Sequence, residues 1–129
     1  MPAYDALFFD PPAPLAQVTL RNPIHTNTVT DVPMLMDTGA DISLVPLPYI
    51  EQLGIAPRSD VQYELMGFDG SRSIAQMVFV EIVWQGRTFK GQFLVIDQEW
   101  GILGRNILNL LPILFDGPRT TWDIQRAKS

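Results

Sequence analysis

Asp37-Thr38-Gly39 lies between the segments Met34-Leu35-Met36 and Ala40-Asp41-Ile42. A carboxylate placed directly after a β-type apolar run stands where burial makes its charge costly. Thr38 and Gly39 then turn the chain, glycine accepting whatever dihedrals the turn requires. Such an acid either caps its turn through backbone hydrogen bonds or holds a proton at a fixed point for chemistry. A second segment, Gly101-Ile102-Leu103-Gly104-Arg105-Asn106-Ile107-Leu108, runs an apolar pair into Gly, Arg and Asn and then into an Ile/Leu stretch able to open a helix.

The elements available to position these residues are mostly short strands. Val18-Thr19-Leu20 and Thr28-Val29-Thr30-Asp31-Val32 alternate apolar and polar residues, the second stopping before Pro33. Met34 to Met36 reads as a buried strand delivering Asp37, and Ile42 to Val45 as the next, halted by Pro46 and Pro48. Tyr49 to Gly54 fits one helical turn closed by glycine. Val61 to Met66 and Ser73 to Val78 flank Gly67-Phe68-Asp69-Gly70, a long hairpin with a glycine-bracketed tip. Phe79 to Trp84 and Thr88 to Val95 make a second hairpin around Gln85-Gly86-Arg87. Ile107 to Leu111 predicts a short helix stopped by Pro112, after which Ile113 to Phe115 and Thr121 to Ile124 close the chain as strands. Short strands at regular intervals, with no internal repeat, predict an all-β closed or folded sheet.

Residues 1–16 stand apart from a domain spanning 17–129. Pro2, Pro11, Pro12 and Pro14 oppose regular structure around the apolar knot Ala6-Leu7-Phe8-Phe9. That arm either packs on the body or a partner, or is a leader cut near Leu7-Phe8 or Phe8-Phe9, an apolar pair that suits a protease cleft when extended.

The order, spacing and composition of the two chemical segments resemble the retropepsin family, the retroviral-type aspartic proteases, over roughly Val18 to Ile124. The resemblance implies a closed β-barrel-like fold with one short helix, a flap hairpin at Leu65 to Arg72, and a two-fold homodimer. It makes Asp37 the catalytic acid, one from each subunit. The chain has a single Asp-Thr-Gly, and Asp69-Gly70-Ser71 and Asp116-Gly117-Pro118 lack buried flanks. Two like charges so close cannot both ionise, so the pair shares one proton and can activate water against a peptide carbonyl without cofactor or metal. By the same resemblance Thr38, Gly39 and Arg105 fix the geometry, Thr38 across the dimer axis and Arg105 through an ion pair with Asp41. An extended peptide would meet Gly39, Ala40 and Asp41 on one side and Met66, Gly67 and Phe68 of the flap on the other. Leu44, Trp100 and Ile102 would wall its side-chain subsites. Phe68 and Asp69 depart from the glycine-richer tip of the family. Ala40 stands where two-lobed relatives carry Ser or Thr, and the missing hydroxyl predicts an activity peaking in weak acid; the resemblance implies that pepstatin inhibits it. The alternative is a catalytically silent peptide-binding or dimerisation module on the same fold.

Composition narrows the field. A chain of 129 residues is one domain. The absence of Cys removes disulfides and thiolate chemistry, and one histidine, His25, argues against a histidine metal site or a Ser-His triad. A net charge of −5 without a basic patch argues against nucleic acid as a partner. The apolar runs are too short for a membrane span, and Met1 to Asp5 has no basic n-region. A cytoplasmic protein fits these features, as does a segment excised from a larger precursor.

Overall fold

The computed structural model describes residues 2–66 and 69–125. Nine strands and two short helices follow in the order β1 (Leu15–Arg21), β2 (Thr28–Met36), β3 (Leu44–Pro46), α1 (Leu47–Gln52), β4 (Arg58–Met66), β5 (Arg72–Trp84), β6 (Arg87–Ile96), β7 (Gly101–Leu103), α2 (Arg105–Leu108), β8 (Ile113–Asp116) and β9 (Thr121–Ile124). The fold is therefore all-β, as the strand spacing predicts. Two helices occur among the described residues, where the family resemblance implied one and the residues themselves pointed to helical turns at Tyr49 to Gly54 and Ile107 to Leu111. Both start two residues early, α1 taking in Pro48 because proline is accepted in a first helical turn, where its missing N–H would have no partner.

Six strands close into a ring. The order β1-β2-β7-β3-β6-β5 returns to β1 through the pairs Thr19↔Val83, Leu20↔Ile82 and Arg21↔Glu81. Closure leaves these six without a free sheet edge at the seam and lets alternate residues point inward. Val18, Leu20, Val32, Met34, Val45, Val80, Ile82 and Leu103 fill that interior, all essentially inaccessible to solvent. Each such side chain contributes about 1.5–3 kcal/mol of burial relative to exposure, which makes the ring the stable body of the molecule.

Two strand boundaries differ from the sequence reading. Pro33 does not end a strand, because β2 runs from Thr28 through it to Met36. β7 meets β2 only at Met34 to Met36, so Pro33 stands where β2 has β1 alone as a neighbour, a place at which strands tolerate proline. Likewise, the segments 73–78 and 79–84 are one strand of 13 residues, β5. Its first half pairs with β4 and its second with β6, so one strand serves both hairpins. The β5–β6 turn is the two residues Gln85 and Gly86, both at positive φ, which matches the twist of the flanking strands.

β4 pairs with β5 alone and overhangs the ring. β8 and β9 form a separate hairpin. Against β9 lies the chain start, through the bridge Ala3↔Thr121 and the bond from Tyr4 N–H to the Thr120 carbonyl at 2.7 Å. Trp122 of β9 packs on Trp84 of β5 with ring centroids 5.8 Å apart. No helix among the described residues is long and apolar enough to cross a membrane.

Candidate functional site

β2 leaves the barrel interior at Met36, whose N–H donates to the Pro14 carbonyl at 3.0 Å. The next N–H, that of Asp37, donates to the Leu103 carbonyl at 3.0 Å, extending the parallel β2–β7 ladder by one bond. The chain then turns back on itself. Gly39 N–H donates to Asp37 Oδ1 at 2.9 Å, and Ala40 N–H to the Asp37 carbonyl at 3.2 Å. One carboxylate oxygen is thereby fixed by the turn it heads, while the other meets no protein donor among the described residues.

The second segment locks this turn from behind. Arg105 N–H donates to the Ala40 carbonyl at 2.8 Å, and Arg105 Nη1 donates to the Thr38 carbonyl at 2.8 Å. Gly104 N–H donates to the Ser43 hydroxyl at 2.9 Å, and that hydroxyl donates to Asn106 Oδ1 at 2.7 Å. The approach is so close that glycine is required. A Cβ on Gly104 would lie 2.2 Å from the Ile42 carbonyl oxygen, and one on Gly101 would lie 2.4 Å from that of Leu44. Sequence reasoning missed Ser43 and Asn106 as members of this lock. The signal was present, since a hydroxyl one residue before a buried strand and an Asn opening a helix both have groups to satisfy.

One expected contact does not form. Asp41 and Arg105 make no ion pair; both are exposed, and the guanidinium is spent on the Thr38 carbonyl. The carbonyl lies on the turn itself, within reach of a side chain starting α2. Asp41 instead lines the cleft. Asp37 is half-buried and Thr38 and Gly39 are exposed, so a single chain does not supply the burial that the apolar flank predicts for the acid.

A cleft of about 590 Å³ opens over the turn. It brings together Asp37, Gly39, Ala40, Asp41, Leu44, Met66 and Ile102 from the sequence-predicted set. Ile42, Glu64, Leu65 and Ile96 also line it and were not foreseen. Ile96 could have been found from strand alternation, two residues beyond buried Leu94 at the end of β6, whereas alternation would set Leu65 on the face opposite to its neighbour Met66. Gly67 and Phe68 lie outside the described residues. Trp100 is not part of the lining; its ring packs edge-on against Phe9, centroids 4.9 Å apart.

The hairpin above the cleft is an exposed structure. Arg72 Nη1 pairs with Glu64 Oε1 at 3.2 Å across it, with both side chains well solvated. Near the tip, Asp69 accepts from Ser71 N–H at 2.9 Å, and the Ser71 hydroxyl and amide together hold the Asp69 carboxyl below its usual range.

Residues 17–107 match the model of a family described as aspartyl protease. Among solved structures, EIAV protease complexed with the inhibitor HBY-793 is similar at 29% identity and a TM-score of 0.57, over 75% of this chain and 86% of that one. The retroviral protease-like domain of Ddi1 from Leishmania major aligns at 18% identity and a TM-score of 0.49, over 88% of this chain and 90% of that one. No curated protein matches the sequence.

Proposed function

We propose that this chain, which belongs to the aspartyl protease family, is an endopeptidase that cuts extended peptides with a pair of Asp37 carboxylates contributed by two copies. The observation that carries the reading is the state of Asp37. One oxygen is tied to its own turn at 2.9 Å, the other is free of protein donors among the described residues, and both sit at the floor of the cleft. A lone acid cannot both accept a proton and donate one in the same step. A second Asp37, brought in across a two-fold axis, supplies the missing group and the missing burial.

In that arrangement the two carboxyls share one proton. The ionised member takes a proton from a water held between them as the water oxygen bonds to the peptide carbonyl carbon. The protonated member gives its proton to the carbonyl oxygen, yielding a neutral tetrahedral diol. Collapse returns a diol proton to a carboxylate and delivers one to the amide nitrogen as the C–N bond breaks. No bond forms between enzyme and substrate. Thr38 and Gly39, exposed in one chain, face the second copy and the peptide. Arg105 holds the turn through the Thr38 carbonyl. Gly39, Ala40 and Asp41 meet the substrate from below, Met66 with Gly67 and Phe68 from above, and Leu44 and Ile102 form apolar walls. The apolar lining favours bulky apolar side chains beside the cut.

A digest of a random peptide library, with and without pepstatin and across a range of protein concentrations, tests this reading. Cleavage should be inhibited by pepstatin, peak in weak acid and fall faster than linearly on dilution. Asp37→Asn should lower the rate by about 10²–10⁴-fold while peptide affinity persists. Affinity without cleavage in the parent protein would instead identify a silent binding module.

A further inference from the structure

The proline-rich start of the chain is a built loop with both feet anchored. Its first foot is the bridge of Ala3 to Thr121 and the bond from Trp122 N–H to the Pro2 carbonyl at 3.0 Å. Its second foot is Pro14, whose carbonyl accepts from Met36, the residue directly before Asp37. Between them, Asp5 and Ala13 exchange backbone hydrogen bonds at 2.7 and 3.0 Å, closing the neck. Inside the loop Phe8 N–H donates to Asp5 Oδ2 at 2.7 Å. The Leu7-Phe8-Phe9 stretch is thus folded on itself and is not the extended strand that a protease cleft takes.

Phe9 is the loop's contact with the body. Its ring meets Trp100 at 4.9 Å between centroids in an edge-on arrangement, and Phe8 stands 6.4 Å from Phe9. Trp100 belongs to the short connection between β6 and β7; Ile96, the last residue of β6, and Ile102, the second of β7, line the cleft on either side of it. That connection is a tight turn. Gln98 N–H donates to the Ile96 carbonyl at 3.0 Å, and Gln98 Nε2 donates to the Trp100 carbonyl at 3.0 Å. A turn so short transmits a push on Trp100 to the isoleucines on either side.

From this placement we infer that Phe9 is a positioning residue for substrate selection: by bracing Trp100 it sets the apolar wall formed by Ile96 and Ile102, and with it the discrimination between large and small side chains. The inference rests on the endopeptidase reading above and deepens it. It also assigns the loop a use in the mature molecule, in place of removal as a leader. Leu7, 94% exposed, lies next to the brace without taking part in it, whereas Phe8, 46% exposed, packs edge-on against Phe9.

The test uses fluorogenic decapeptides with an apolar pair at the centre, identical except for Ala, Leu or Phe on one side of the cut. The full chain should favour Phe over Ala. Phe9→Ala should shrink that preference about three- to tenfold, the worth of an aromatic pair beyond its buried area. The change should fall in KM, with kcat preserved and the melting temperature lowered by only a few degrees, and Phe9→Tyr should restore it. An unchanged preference in Phe9→Ala, or an equal loss for every peptide, overturns the inference and leaves the endopeptidase reading intact. Failure of the parent chain to cut any member of a random peptide library removes that reading and this inference together. Leu7→Ala, outside the brace, should behave as the parent, and a shift equal to that of Phe9→Ala would also count against the assignment.

Discussion

The floor of the cleft and the hairpin above it are built on opposite plans. The floor joins residues 37–44 to residues 101–106 through backbone and side-chain bonds from both segments, with glycines where no Cβ fits. The hairpin is held along one side only, by the β4–β5 ladder, and shows Met66 and Ile74 to solvent at 70% and 68% exposure. On the endopeptidase reading proposed above, the difference separates two requirements. A reacting carboxylate would have to be held to a fraction of an ångström, whereas a cover would have to open and close, and elements that move are drawn from the less stabilised parts of a fold.

Paired glycine substitutions probe that contrast most strongly. Gly104→Ala places a methyl group 2.2 Å from the Ile42 carbonyl oxygen and should destabilise the chain by about 3 kcal/mol or more. Gly70→Ala, near the hairpin tip, meets nothing within 4 Å among the described residues; its backbone, at φ +82, carries a cost of about 1 kcal/mol. Denaturant unfolding of both variants measures the gap. Equal losses would mean that the tip is as constrained as the floor.

Ser43→Ala sharpens the comparison within the floor. Ser43 is almost wholly buried, accepts from Gly104 N–H and donates to Asn106. Its loss strands a buried N–H and should cost about 1–3 kcal/mol. Cleavage should suffer as well, since Gly104 carries the strand end that fixes Asp37.

The turn at Asp37 and its partner segment were legible because their cues are local: an apolar run ending in an acid, and glycines beside Arg and Asn. The closed all-β ring was legible from strand spacing. The continuity of β5 was not, because its two halves differ only in which neighbour they pair with. Pro33 misled for a similar reason, since the single-sided stretch of β2 depends on where β7 begins. Trp100 was read as a cleft wall from its place beside Gly101-Ile102, yet its ring is captured by Phe9, more than ninety residues away in sequence. A proline-rich segment reads as irregular, and the bonds that order residues 2–14 come from Thr120, Trp122 and Met36, none of them near it in the chain. Arg105 was paired with Asp41 on the family resemblance, but the Thr38 carbonyl lay in better reach.

Two ion pairs carry the contrast down to smaller effects. In the barrel wall, Arg21 Nε lies 2.8 Å from Glu81 Oε1 across the β1–β5 seam, and Lys90 Nζ stands 3.8 Å from the other oxygen. The hydrogen bond from Arg21, reinforced by its charge and that of Lys90, holds the Glu81 carboxyl below its usual range. The unfolded chain binds this proton more readily than the folded one. The pair's contribution is therefore present above the unfolded carboxyl range and disappears as pH falls through the folded value. Thermal melts from about pH 7 down to about pH 2 should show a steeper acid limb for the parent than for Glu81→Gln. Parallel limbs would mean that the seam does not depend on this charge.

The hairpin pair sets the lower end of the scale. Arg72 and Glu64 sit 3.2 Å apart with side chains 65% and 58% exposed, so water and salt screen their attraction and two long side chains lose freedom in making it. Arg72→Ala should therefore change stability by no more than about 0.5 kcal/mol, and added salt should erase even that. Glu64 also lines the cleft, so the same substitution frees its carboxylate toward a bound peptide without loosening the floor. Unfolding in low and high salt checks the first expectation. A loss approaching that of Gly104→Ala would show the hairpin to be part of the rigid body, and the division between a fixed floor and a movable cover would fail with it.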